Sequence, residues 1–339
     1  MRRLSVLFSL MAALVVTGCS SQSEEVNVYS ARKEALIKPL LDRFTSETGI
    51  TVNLITGSAD ALVERMKAEG EHSPADVLIT TDAGRLYRAQ QEGQLATTES
   101  DTLAEQVPEA LRDPEGHWYG LSVRARVVVY APDRVDPSEL STYEALADEQ
   151  WDDRICIRSS DNIYNQSLTA SLIAHNGEAD TEQWAEGLVS NMARDPVGGD
   201  RDQIKALAAG ECDVAVVNTY YLGMMQGGDD ADAREIAEQV AVFWPNQDGR
   251  GAHINISGAG VATNAPNPDN ARQLIEFLVN DESQQWYAET NYEYPVRADV
   301  PVSDLLQEWG EFKQDDLPLI KLGELNADAV KLMDRAGWK

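Results

Sequence analysis

At 339 residues the chain is longer than one hydrophobic core usually organises, and its 43% hydrophobic content excludes a disordered protein. Its 57 acidic and 28 basic residues give a formal charge of −29, spread along the chain, which excludes nucleic acid and anionic membrane surfaces as partners. Three cysteines and four scattered histidines, with no C-x-x-C or H-x-x-x-H pair, give no support to a zinc site.

The first predicted element is not part of a fold. Arg2 and Arg3 precede an apolar run over 4–16, which is shorter than the roughly 20 residues a membrane helix needs. It fits a signal-peptide core instead. The run ends in Val16-Thr17-Gly18-Cys19, which resembles the lipobox of bacterial lipoproteins. The expectation is a signal peptide at 1–18, lipid on Cys19, and a polar tether at 19–25. The protein is then anchored to a membrane in the periplasm or cell envelope.

Beyond the tether, strand-like and helix-like runs alternate. Strands are predicted at 26–29, 51–55 and 75–80, with helices at 34–48, 60–69 and 82–91 between and after them. Ser58 is a plausible cap for the second helix. The longest β-like run is 123–130. The pattern resumes with a strand at 154–157, helices at 166–175, 181–192 and 203–209, and a strand at 213–217. Two further strands are predicted at 240–243 and 253–256, then a helix at 270–278 and a polar helical stretch over 302–338. Such alternation argues for α/β architecture with a mainly parallel sheet, and the length argues for two lobes. No G-x-S-x-G, Walker or dinucleotide-binding pattern occurs. Gly258-Ala259-Gly260 reads as a turn or a close backbone approach.

Cys156 and Cys212 remain once Cys19 is assigned. One lies in the strand before the Tyr164 loop, the other just before the strand leading to Tyr220. Neighbouring parallel strands run about 4.8 Å apart, within disulfide reach, and an oxidising compartment permits the bond. A Cys156–Cys212 disulfide is therefore expected.

Tyrosine carries the chemistry. Tyr29, Tyr164, Tyr220 and Tyr221 all sit where a strand gives way to a helix, which is where open α/β sheets place ligands. Two adjacent residues in a helix's first turn lie about 100° apart, so both can face one cleft. Phenolate is a hard anionic oxygen donor that suits a hard trivalent cation such as Fe(III), which in turn stabilises the phenolate.

The stretches VNVYSARKE at 26–34, GSADALVERM at 57–66, PADVLITTDAGRLYRAQ at 74–90, GLSVRARVVVY at 120–130, RSSDNIYNQSL at 158–168, GGDRDQIKALAAGECDVAVVNTYYLG at 198–223 and NYEYPV at 291–296 together resemble the ferric-iron-binding proteins of bacterial ABC importers. These belong to the extracellular solute-binding proteins. The resemblance implies a type II periplasmic-binding-protein fold, two lobes around a ligand cleft, here 24–123 with 250–300 and 124–249 with 301–339. It implies iron capture by Tyr164, Tyr220 and Tyr221, and matches Tyr29 to a fourth ligand that some members add. Lys33 stands where related members carry a histidine. Members with three tyrosines complete the site with a carbonate-like anion held by an arginine, for which Arg124 is the candidate and Arg126 the alternative. The implied partners are a membrane permease and its ATPase, with the protein a monomer and not an enzyme. A solute-binding protein for an anion, a polyamine or a thiamine-like cation is the rival reading, and an enzyme on the same scaffold is a second.

Overall fold

The structure, a computed structural model, describes residues 24–339. The signal peptide, Cys19 and nearly all of the tether lie outside the described residues. Eight strands form one sheet among them: β1 (Glu25–Ser30), β2 (Thr51–Thr56), β3 (Val77–Thr81), β4 (Tyr119–Tyr130), β5 (Ile155–Cys156), β6 (Val214–Asn218), β7 (Ala241–Phe243) and β8 (Ile254–Val261). Their order is β2-β1-β3-β8-β4-β6-β5, with β7 pairing β4 off this path. β1 runs parallel to β2 and β3, and β5 parallel to β6. β8 is antiparallel to both β3 and β4.

β4 organises the molecule. Its β-branched run is buried on both faces, as a central strand requires. It pairs with β8 as far as Ala125, and with β6 from Arg126 onward. At that change of partner the sheet divides into two halves, each with its own helices. One hydrophobic cluster runs through both halves, and a second gathers Trp151, Trp184 and Trp338 with Val128, Val214 and Leu332 behind the second half.

The strand-helix alternation appears at the expected places. Helix Ala59–Glu69 is capped by Ser58, whose hydroxyl accepts from the Ala61 N–H at 3.3 Å. The sheet is mixed rather than mainly parallel, because β8 and β4 run antiparallel to the strands they pair. Helix Asp281–Asn291 is unanticipated. Two further stretches also differ from expectation. β8 runs through Gly258 and Gly260 to Val261 instead of ending in a turn. A Cβ at Gly258 would meet the Tyr119 carbonyl oxygen at 2.8 Å, so the glycines permit close backbone approach inside the sheet. The polar 302–338 segment is not one helix but three short ones, Asp304–Glu308, Ile320–Glu324 and Asn326–Arg335. Gly310 turns the chain with φ 79°. The next stretch pairs with Ala252, whose N–H and C=O bond to Lys313 and Asp315. A tertiary backbone pairing has displaced helical propensity there.

Among the described residues no helix is long and apolar enough to cross a membrane. Among these residues only Val197 and Val330 stand out as exposed large hydrophobics.

Candidate metal centre

Tyr164 is the second residue of helix Ile163–Asn176, whose cap, Asn162, accepts from the Tyr164 N–H at 3.0 Å. Tyr220 and Tyr221 are the second and third residues of helix Thr219–Gly227, which starts directly at the end of β6. The tyrosines converge. The Tyr164 and Tyr220 hydroxyl oxygens are 3.2 Å apart, and the Tyr220 and Tyr221 rings lie 4.2 Å apart, tilted by 32°. The Cys156–Cys212 disulfide joins the segments that lead to them, with Cα atoms 5.8 Å apart.

A buried carboxylate supports both tyrosine segments. Asp200 Oδ2 accepts from the Asn218 N–H at 2.9 Å and from Arg126 Nη1 at 3.2 Å, and Oδ1 accepts from Arg158 Nη1 at 3.3 Å. The Arg158 guanidinium lies 5.7 Å from the Tyr164 ring centroid. Sequence reasoning missed Asp200, although it opens a helix directly after Gly198-Gly199 within one of the matching stretches.

The two candidate arginines part company. Arg126 also bonds Asn218 Oδ1, Asn165 Oδ1 and the Val216 carbonyl, so it is committed to the second half. Arg124 packs 5.1 Å from the Tyr164 ring centroid and donates only a long 3.4 Å bond to Ser257 Oγ. Its Nε and Nη2 have no hydrogen-bond partner. It faces a cleft of about 350 Å³ together with all three tyrosines. Across that cleft stand Arg32, Lys33, Thr81 and Glu293. Glu293 is tied to Arg32 at 2.7 Å.

Tyr29 is not brought to this cluster. It is fully buried in β1, donates its hydroxyl to the Glu69 carboxylate at 3.0 Å, and carries the Arg65 guanidinium 4.8 Å over its ring. Burial and that carboxylate push its pKa up to about 12.

Burial raises the Tyr220 pKa well above 10, and the neighbouring Tyr164 and Tyr221 oxygens add to the shift. Burial, then the Tyr164 charge, lifts Tyr221 to about 12. Arg124 beside Tyr220 and Arg158 beside Tyr221 pull the other way. At neutral pH both are protonated phenols that only a strong cation converts to phenolates. Among the described residues no group of three or more His, Cys, Asp or Glu could hold a metal. The convergent hard donors are the tyrosine oxygens.

A family model described as bacterial extracellular solute-binding protein matches residues 72–315. The chain is 51% identical over 318 residues, 94% of its length and 88% of the relative's, to iron uptake protein A1 of Synechocystis. Its fold superposes with a TM-score of 0.90 on a Trichodesmium protein solved in complex with iron and citrate ligands, at 51% identity over 93% of this chain and all of that one. A ferric binding protein from Campylobacter jejuni gives 0.89 at 37% identity, covering 93% of this chain and all of that one.

Proposed function

This chain belongs to the bacterial extracellular solute-binding proteins, and from that premise we propose that it captures ferric iron outside the cytoplasm and delivers it to an ABC importer. It works by binding, not by turnover. The observation that carries the reading is the convergence of Tyr164, Tyr220 and Tyr221 on one cleft, two of their oxygens 3.2 Å apart. The similarity to iron uptake and ferric-binding proteins supports it.

Three phenolates against Fe(III) make a neutral site. We assign the ligands as these three tyrosines and leave Tyr29 out, because Glu69 holds its hydroxyl elsewhere. The Arg124 guanidinium, whose Nε and Nη2 lack a hydrogen-bond partner although the Asp82 carboxylate stands 3.9 Å from Nη2, is the seat for a carbonate-like anion that completes the coordination. Arg126, saturated by Asp200 and Asn165, is a scaffold residue.

We place one lobe at 24–123 with 250–300 and the other at 124–249 with 301–339. The change of β4 partner between Ala125 and Arg126 lies within two residues of that boundary. All three ligand tyrosines then belong to the second lobe, and hinge closure covers the iron with the first. A permease and its ATPase receive the closed, monomeric protein, and lipid on Cys19 keeps it at the membrane.

The test is direct. Adding ferric citrate to the purified protein produces a visible phenolate-to-iron charge-transfer band. A protein that stays colourless with excess Fe(III) is not a ferric-binding protein of this kind.

A further inference from the structure

Asp82 has a backbone conformation that needs an explanation. It directly follows β3, is fully buried, and has φ 88° and ψ 125°, a region that residues with a side chain seldom occupy. Such strain persists only where the surroundings over-determine it, and it clusters at functional sites.

The surroundings of Asp82 are specific. Its N–H donates to the Ile256 carbonyl in β8 at 2.8 Å. Its Oδ1 accepts from the Gly84 N–H at 2.9 Å, capping helix Ala83–Gln91, and from Ser167 Oγ at 2.8 Å. Its Oδ2 accepts from Asn255 Nδ2 at 2.8 Å and stands 3.9 Å from Arg124 Nη2. One carboxylate therefore touches both strands that join the halves of the sheet, and also the helix that presents Tyr164. Ser167 lies three residues beyond Tyr164, on the same side of that helix.

These bonds divide into two kinds. Gly84 and Asn255 belong to the half that contains β3, so they stay with Asp82 whatever the other half does. The Ser167 bond crosses to the other half. It ties Asp82 to the helix that carries Tyr164, so a movement that separates the halves at this point would break it. A contact made in one arrangement and not the other shifts the balance toward the first.

We propose that Asp82 is a positioning residue for the iron site, latching the Tyr164 helix to the opposite half of the cleft through Ser167. The proposal rests on the ferric-iron reading for its functional consequence, though not for the latch itself. The latch favours the joined arrangement of the halves whether or not iron is bound. It slows reopening and so lengthens the time that the metal stays covered, without touching the metal.

Ser167→Ala removes the crossing bond and nothing that faces the iron. A hydrogen bond to a charged acceptor corresponds to about a tenfold change in an equilibrium constant. Iron release to a competing chelator should therefore be about tenfold faster in Ser167→Ala. The charge-transfer wavelength should stay at its wild-type value, because no ligand oxygen is altered. Ser167→Thr, which keeps a hydroxyl, should restore slow release. Small-angle scattering of iron-free Ser167→Ala should show a larger mean radius of gyration than wild type. Asp82→Ala, which removes the acceptor itself, should release iron at least as fast as Ser167→Ala, and if it does not fold, the Ser167 pair still decides. Wild-type release and wild-type scattering in Ser167→Ala would overturn the latch. A wild-type protein that binds no Fe(III) would overturn the ferric reading instead, and scattering would still test the latch.

Discussion

The hydroxyl oxygens of Tyr164 and Tyr220 stand 3.2 Å apart although the residues are separated by 56 positions in sequence. Two neutral phenols accommodate this distance with a shared hydrogen bond. Two phenolates do so only with a cation between or beside them, so the pair behaves as a charge-dependent site.

Substitution should separate the proposed ligands from their neighbour. Tyr164→Phe, Tyr220→Phe and Tyr221→Phe should each lower Fe(III) affinity by at least about 100-fold, since each removes a hard anionic donor. Tyr29→Phe should change affinity by less than about threefold, because Glu69 already holds that hydroxyl. Competition with a chelator of known ferric affinity measures all four. Wild-type affinity in the first three variants would move the site elsewhere.

Proton release gives an independent count. Burial holds Tyr220 and Tyr221 above their ordinary pKa, so both enter the reaction protonated at pH 7. Binding through three phenolates should release about three protons per iron, after correction for the chelator. Affinity at fixed free Fe(III) should then fall as pH falls. A pH-stat titration reads the number directly, and one proton or none excludes the three-phenolate site.

The disulfide should be both complete and stabilising. Denatured, unreduced protein should show no reactive thiol from Cys156 or Cys212. Replacing both by serine should cost about 4 kcal/mol on the chain-entropy relation for a separation of 56. Denaturant unfolding of the two forms gives the difference. A loss under about 1 kcal/mol would show that the unfolded chain gains little freedom on cleavage.

Stability should also depend on His253. Burial, then the charges of Arg126 and Arg124, lowers its pKa from 6.5 to about 3. The unfolded chain takes up a proton below about pH 6.5 while the folded chain does not. This contribution to stability is therefore present above pH 6.5 and is lost as pH falls toward 3, at up to about 1.4 kcal/mol per pH unit. His253→Gln should flatten the stability curve between pH 6.5 and 4.5. An equally steep curve would assign that acid sensitivity to carboxylates.

Local pattern carried much of this molecule. Strand-helix alternation and the Ser58 cap are readable because hydrophobic period and capping chemistry act over a few residues. Tyr164, Tyr220 and Tyr221 were legible because each follows a strand end. Tyr29 follows the same rule, but the structure turns its hydroxyl to Glu69, 40 positions away, and no local signal reports such a partner. Arg124 and Arg126 look interchangeable in a strand, and only the switch of β4 from β8 to β6 gives them different neighbours. Asp200 and Asp82 were invisible for the same reason, since their roles lie in contacts made across the fold. The 302–338 segment has helical composition, yet pairing with Ala252 redirects its middle.

The nearly complete absence of large apolar side chains from the described surface, Val197 and Val330 apart, has a bearing on encounter. A net charge of −29 surrounds the molecule with a cloud of counter-ions. The field behind that cloud reaches about 10 Å at 0.1 M salt and about 3 Å at 1 M. With so little grease to offer, recognition at long range is electrical, and dilution or brine tunes its tempo. A rise in ionic strength should therefore slow the first encounter with any charged partner, while Tyr220, beneath the surface, lies out of reach of that screening.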